Sequence, residues 1–165
     1  NEGWGQFDTA RIAGWTRSLD PARLVNSASG WSDRGVGDVI DIHAYPGPAA
    51  PANEPRRASV LGEFGGLGLP VRGHTWQDEK NWGYRSFTTA DELTAAYLGL
   101  LEKLKPLIAG GLSAAVYTQT TDVEIEVNGL MTYDRAVLKI DKGRVAGANG
   151  EISSSLGIRP GRESE

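Results

Sequence analysis

Residues 58–66 read ASVLGEFGG, a short apolar run that reaches an acid just before it breaks on two glycines. The valine, leucine and phenylalanine predict a buried strand with Glu63 near its end. An acid between Leu61 and Phe64 costs free energy unless it has partners and a task. The chain opens with NEGWG, residues 1–5, which again sets an acid, Glu2, among glycine and aromatic residues. Two carboxylates in matching settings are expected to meet in space.

Upstream of Glu63, DVIDIHAY at 38–45 predicts a second half-buried strand, stopped by Pro46 and followed by the proline-rich surface loop PGPAAPANEP. Before it, Asp8 or Thr9 caps a short helix with Ile12, Trp15 and Leu19 on its apolar face, and Asp20-Pro21 ends that helix. A strand-like run covers 24–28. Downstream, a glycine-rich loop from Gly65 to Phe87 carries Trp76, Trp82 and Tyr84, and loops of such length in compact domains point to function. Thr89 with Glu92 forms a capping box, opening a helix whose stripe is Leu93, Tyr97, Leu100, Leu101, Leu104 and Ile108, with Gly110-Gly111 as its stop. LSAAVYT at 112–118 is one more strand. VEIEVNGLMTY, taken alone, reads as a hairpin through Asn128-Gly129. Residues 151–165 read as a polar tail or linker.

Strands separated by helices or long excursions predict an α/β fold with a parallel sheet. Glu2, Glu63, His43 with Tyr45, and Tyr117 to Gln119 all fall at carboxyl ends of predicted strands, the face on which parallel sheets and (β/α)8 barrels place their chemistry.

The bulk properties narrow the partners. A net charge of -4 over 165 residues supplies no basic patch for phosphate backbones or anionic membranes, so no nucleic-acid or membrane partner is expected and neutral substrates fit better. There is no cysteine, hence no thiolate nucleophile or thiolate metal site. His43 and His74 lack metal-ligand spacing, and GGLGLP lacks the full dinucleotide pattern, so no metal or cofactor is expected. The chain begins at Asn1 rather than at a methionine, as expected of a processed chain or a piece of a longer one.

NEGWG, DIHAY, VLGEFGG and YTQTTDVEIEVNGLMTYDR, in that order over residues 1 to about 150, resemble the catalytic domain of glycoside hydrolase family 2, which includes beta-galactosidases, beta-glucuronidases and beta-mannosidases. The resemblance implies retaining hydrolysis of a beta-glycosidic bond, foremost of beta-galactosides, with Glu2 as general acid/base and Glu63 as nucleophile. It implies that Asn1 contacts the sugar 2-hydroxyl and that Tyr45 donates to the nucleophile. His43 is expected to contact the sugar, as is Trp76, whose aromatic face suits a pyranose ring. Tyr117 stands with Thr118 and Gln119 where many family members place a sugar-stacking tryptophan.

The resemblance also implies a fold: residues 1–150 as the second half of a (β/α)8 TIM barrel, from the end of its fourth strand through its eighth. The expected partners are then a beta-glycoside, the missing amino-terminal half of the barrel, and accessory beta-sandwich domains. Half a ring leaves its interior open and its edges unpaired, so the fragment alone is expected to be inactive. The competing reading is a noncatalytic carbohydrate-binding or assembly module.

Overall fold

The computed structural model describes residues 2–27 and 30–155. In chain order its elements are a 3-10 turn (Gly3–Gly5), α1 (Thr9–Leu19), β1 (Val39–Ala44), β2 (Ala58–Gly65), β3 (Leu67–Gly68), β4 (Arg85–Ser86), α2 (Ala90–Ala109), β5 (Leu112–Thr118) and α3 (Lys142–Ser155). Strands β1, β2 and β5 form one parallel sheet in the order β1-β2-β5, and β3 with β4 forms a second parallel pair.

Strand β2 lies in the middle, and its register explains how one strand serves both the core and a polar site. Ile42 is level with Leu61, but the next residue, His43, is level with Glu63, so Gly62 is the extra residue of a bulge. The slip lets both Leu61 and Phe64 enter the core, at 0% and 2% exposure, while Glu63 between them stays partly exposed. Only glycine fits at the bulge, because a Cβ at residue 62 would sit 2.1 Å from Asp41 Oδ1.

Helix α2 closes the core. Thr89 Oγ1 accepts from the Glu92 amide at 3.2 Å, and Glu92 Oε2 accepts from the Thr89 amide at 3.2 Å, completing the expected capping box. Its buried stripe of Leu93, Tyr97, Leu100, Leu101 and Leu104 joins Leu61, Phe64, Leu67 and Leu112 from the strands and Val145 from α3 in one cluster. Thr94 Oγ1 accepts from the Asp141 amide at 3.0 Å, which ties the start of α3 to α2.

The expected half-barrel is not what the chain forms. Three hydrogen-bonded strands make an open sheet, whereas a barrel of this kind closes through eight, and the separate β3-β4 pair does not extend the first sheet. Over the described residues the fold is a small α/β arrangement with three α-helices and two open sheets. The α/β class and the parallel pairing hold, but open α/β sheets and barrels share both. Further local corrections follow. Residues 24–27 form no strand: Val25 instead holds Asp38 through backbone and side-chain hydrogen bonds, and Ala28 lies outside the described residues. Helix α1 buries Ala13 rather than Trp15 and Leu19, which are 60% and 69% exposed. Helix α3 runs through Ser155, so residues 151–155 are helical where a polar tail was expected, and Ile152 packs against the core.

The segment after β5 is also not a hairpin through Asn128-Gly129. The chain reverses at Glu124-Ile125, where Val123 and Glu126 exchange backbone hydrogen bonds of 3.1 and 2.9 Å. The reason lies below the loop. Lys139, fully buried, donates to Asp122 Oδ1 at 2.6 Å, to the Val127 carbonyl at 2.9 Å and to the Leu69 carbonyl at 3.1 Å. Burial pushes the lysine pKa down and the Asp122 pKa up, and their mutual hydrogen bond opposes both shifts. Removing one partner strands the other charge. Lys139→Ala is expected to destabilise the protein by about 3–5 kcal/mol in denaturant unfolding, and a loss below about 1 kcal/mol would contradict this account of the loop.

Candidate functional site

The candidate site gathers at the carboxyl ends of β1 and β2. Strand β1 ends with His43 and Ala44, with Tyr45 just beyond, and the parallel register brings His43 level with Glu63. His43 Nδ1 lies 3.0 Å from Glu2 Oε2 and 3.2 Å from Glu63 Oε2, with its side chain only 6% exposed. One carboxylate oxygen from each glutamate and the imidazole nitrogen fall within 4.8 Å of one another. Two carboxylates and an imidazole are also a donor set that a divalent cation accepts.

Glu2 lies in an isolated β-bridge outside the named strands, and packing sets the turn that follows it. The Gly3–Gly5 turn rests on Trp31, whose ring meets Trp4 edge-on at 5.6 Å and His43 edge-on at 6.4 Å. The Gly30 carbonyl accepts from the His43 amide at 3.0 Å, so the loop that carries Trp31 is registered against β1.

Glu63 is held from the β1 side, with support from β5. Tyr45 Oη donates to Glu63 Oε2 at 2.5 Å and lies 2.9 Å from Thr118 Oγ1, at the end of β5. Burial, then the bond to Glu63, raises the Tyr45 pKa, so the phenol keeps its proton and remains a donor through the neutral range. Its ring stacks flat on Tyr84, with centroids 3.8 Å apart and planes 3° from parallel, and Trp82 meets Tyr84 edge-on at 5.3 Å.

The expected residues divide. Glu2, Glu63, His43 and Tyr45 come together, and His43 bridges the two carboxylates instead of standing free. Asn1 lies outside the described residues. Trp76, 54% exposed, packs edge-on against Tyr133 at 4.8 Å and makes no ring contact with the Tyr45-Tyr84 stack. Tyr117 turns toward the core, edge-on to Phe64 at 5.7 Å and to Tyr97 at 4.8 Å, while its neighbour Thr118 reaches Tyr45.

Sequence reasoning placed Thr118 and Gln119 on this face but missed Glu126 and Asn128. Asn128 Nδ2 donates to Glu126 Oε1 at 2.6 Å, and Gln119 Nε2 donates to Asn128 Oδ1 at 2.8 Å. The available signal was an asparagine that is 0% exposed within a polar loop, which requires that its amide be satisfied, but burial is not written in the sequence.

Gly66 is the tightest point of the aromatic wall. Its φ is +63°, and a Cβ there would fall 2.3 Å from Tyr84 Cδ2 and 3.0 Å from Tyr45 Cδ1. Gly66→Ala is expected to cost about 1–3 kcal/mol and to abolish the near-ultraviolet circular dichroism of the stacked tyrosines, whereas an unchanged melt and spectrum would contradict the geometry. No protein-family model and no curated protein matches the chain.

Proposed function

We propose that this chain carries the catalytic pair of a retaining β-glycosidase acting on β-galactosides. The observation that carries the reading is the approach of Glu2 and Glu63 to within 4.8 Å. Carboxyl groups about 5–5.5 Å apart suit direct attack on the anomeric carbon, whereas about 6.5–9.5 Å would leave room for an intervening water.

The first step has Glu63 attack the anomeric carbon while Glu2 gives its proton to the glycosidic oxygen. The carbon–oxygen bond to the aglycone breaks, the aglycone leaves as an alcohol, and a glycosyl ester forms on Glu63. With the charge on Glu63 consumed, Glu2 is now an anion and takes a proton from water. The resulting hydroxyl attacks the anomeric carbon, the ester bond breaks, and both carboxyl groups return to their starting states. Tyr45 fixes Glu63 Oε2, which leaves the other oxygen for attack. The Tyr45-Tyr84 stack with Trp82 offers aromatic surface beside the pair, suited to the apolar face of a pyranose. A sugar-binding module without catalysis needs no second carboxylate at this spacing.

In the longest protein that carries this chain, incubation with 2-deoxy-2-fluoro-β-galactosyl fluoride is expected to leave one fluorosugar on the peptide that contains Glu63, detected by mass spectrometry. Glu63→Gln is expected to remain unlabelled and to lose about four orders of magnitude or more in kcat. Sugar binding with no covalent adduct would overturn the enzymatic reading in favour of a binding module.

A further inference from the structure

A third carboxylate stands on the wall of the same site. The Trp82 amide donates to the Ile125 carbonyl at 2.9 Å and the Val127 amide donates to the Trp82 carbonyl at 2.9 Å, so Glu126 is the bridge partner of Trp82. Two residues beyond Trp82, Tyr84 stacks on the tyrosine that holds Glu63. The side-chain bonds lead to the same place from the other direction: Glu63 to Tyr45, Tyr45 to Thr118, then Gln119 to Asn128 and Asn128 to Glu126.

We propose that Glu126 is a specificity residue of this site, a third carboxylate that admits neutral glycosides and rejects sugars that carry an anionic group, such as uronides. The inference rests on the glycosidase reading and adds to it the charge class of the substrate.

Three observations carry it. First, Glu126 is set in place rather than left loose. Asn128 is fully buried, its carbonyl is taken by Gln119, and its NH2 group therefore faces Glu126 Oε1 and calls for an acceptor there. The second oxygen of Glu126 makes no protein hydrogen bond among the described residues and is available to a sugar hydroxyl, which donates.

Second, the three carboxylates act on one point. The Tyr84 phenol has a raised pKa, first through burial and then through the negative charges of Glu126, Glu63 and Glu2. A substrate group near Tyr84 meets the same field.

Third, no cation answers them. Among the described residues, no lysine or arginine pairs with Glu2, Glu63 or Glu126, and His43 is the one basic group in contact with the pair. Lys139 reaches the Val127 carbonyl from below the loop, but its three donors are spent on Leu69, Asp122 and Val127. Arg85 lies over the Phe87 ring, 5.1 Å from its centroid. An entering carboxylate or sulfate would lose its hydration and find like charge, whereas a neutral ring loses nothing of the kind.

The test compares kcat/KM for p-nitrophenyl β-galactoside and p-nitrophenyl β-glucuronide in the longest protein that carries this chain, as wild type and as Glu126→Gln. The glutamine carbonyl can still accept from Asn128, so the change removes the charge and keeps the bond. The wild type is expected to favour the galactoside, and Glu126→Gln to narrow that preference by about tenfold, mostly through a lower KM for the glucuronide, with the effect shrinking as salt is raised. Should Glu126→Gln fail to fold, inhibition of the wild type by galactonolactone and by glucarolactone makes the same comparison, with the neutral lactone expected to bind more tightly. Turnover of the galactoside with an unchanged preference in Glu126→Gln, or a wild type that favours the glucuronide or the anionic lactone, would overturn the role of Glu126 while leaving the glycosidase reading intact. Absence of turnover and of labelling at Glu63 on every glycoside would remove that reading and this inference with it.

Discussion

A carboxylate at the end of a buried strand persists only where its neighbours supply donors, and Glu63 receives them from the β1 side of its sheet, with β5 in support. His43 approaches from β1, Tyr45 from the residue after β1, and Thr118 from β5 supports the Tyr45 hydroxyl. The parallel register makes this possible because it brings the ends of all three strands to one level. The bulge at Gly62 completes it, since without the extra residue Leu61 and Phe64 could not both enter the core while Glu63 stays at the rim. The site is therefore a consequence of how the central strand satisfies its apolar residues.

The loops finish what the strands begin. Lys139 and Asp122, with the carbonyls of Leu69 and Val127, form a buried polar knot under the segment that follows β5. Above that knot the backbone of Trp82 pairs with Ile125 and Val127, which sets Trp82, Tyr84 and Glu126 along one wall. A buried ion pair of this kind contributes little net stability compared with apolar residues of equal volume, but it fixes one loop arrangement by making the alternatives leave a charge unpaired. The wall owes its shape to that constraint.

Strands β1, β2 and β5 and helix α2 were legible because their signals are local: branched and aromatic runs, a capping box, a glycine stop. Convergence of Glu2 with Glu63 was legible too, through the matching contexts of NEGWG and VLGEFGG. Closure into a barrel was not, because the number of strands that pair is decided by contacts distant in sequence, and the strand-like run at 24–27 found a better use in fixing Asp38. Glu126 escaped notice because Asn128-Gly129 imitates a hairpin turn, and only the buried lysine beneath it forces the reversal to Glu124-Ile125. Trp15 and Leu19 follow helical spacing yet stay exposed, since periodicity reports a face and not what covers it.

The central claim is that two carboxylates stand close enough for one of them to bond directly to a sugar. The stereochemistry of the first-formed product measures that claim most directly, by following hydrolysis of an aryl β-galactoside with proton NMR before mutarotation sets in. The spacing of Glu2 and Glu63 predicts that β-galactose accumulates first. Initial release of α-galactose would mean that water, not Glu63, reaches the anomeric carbon, and would contradict the account.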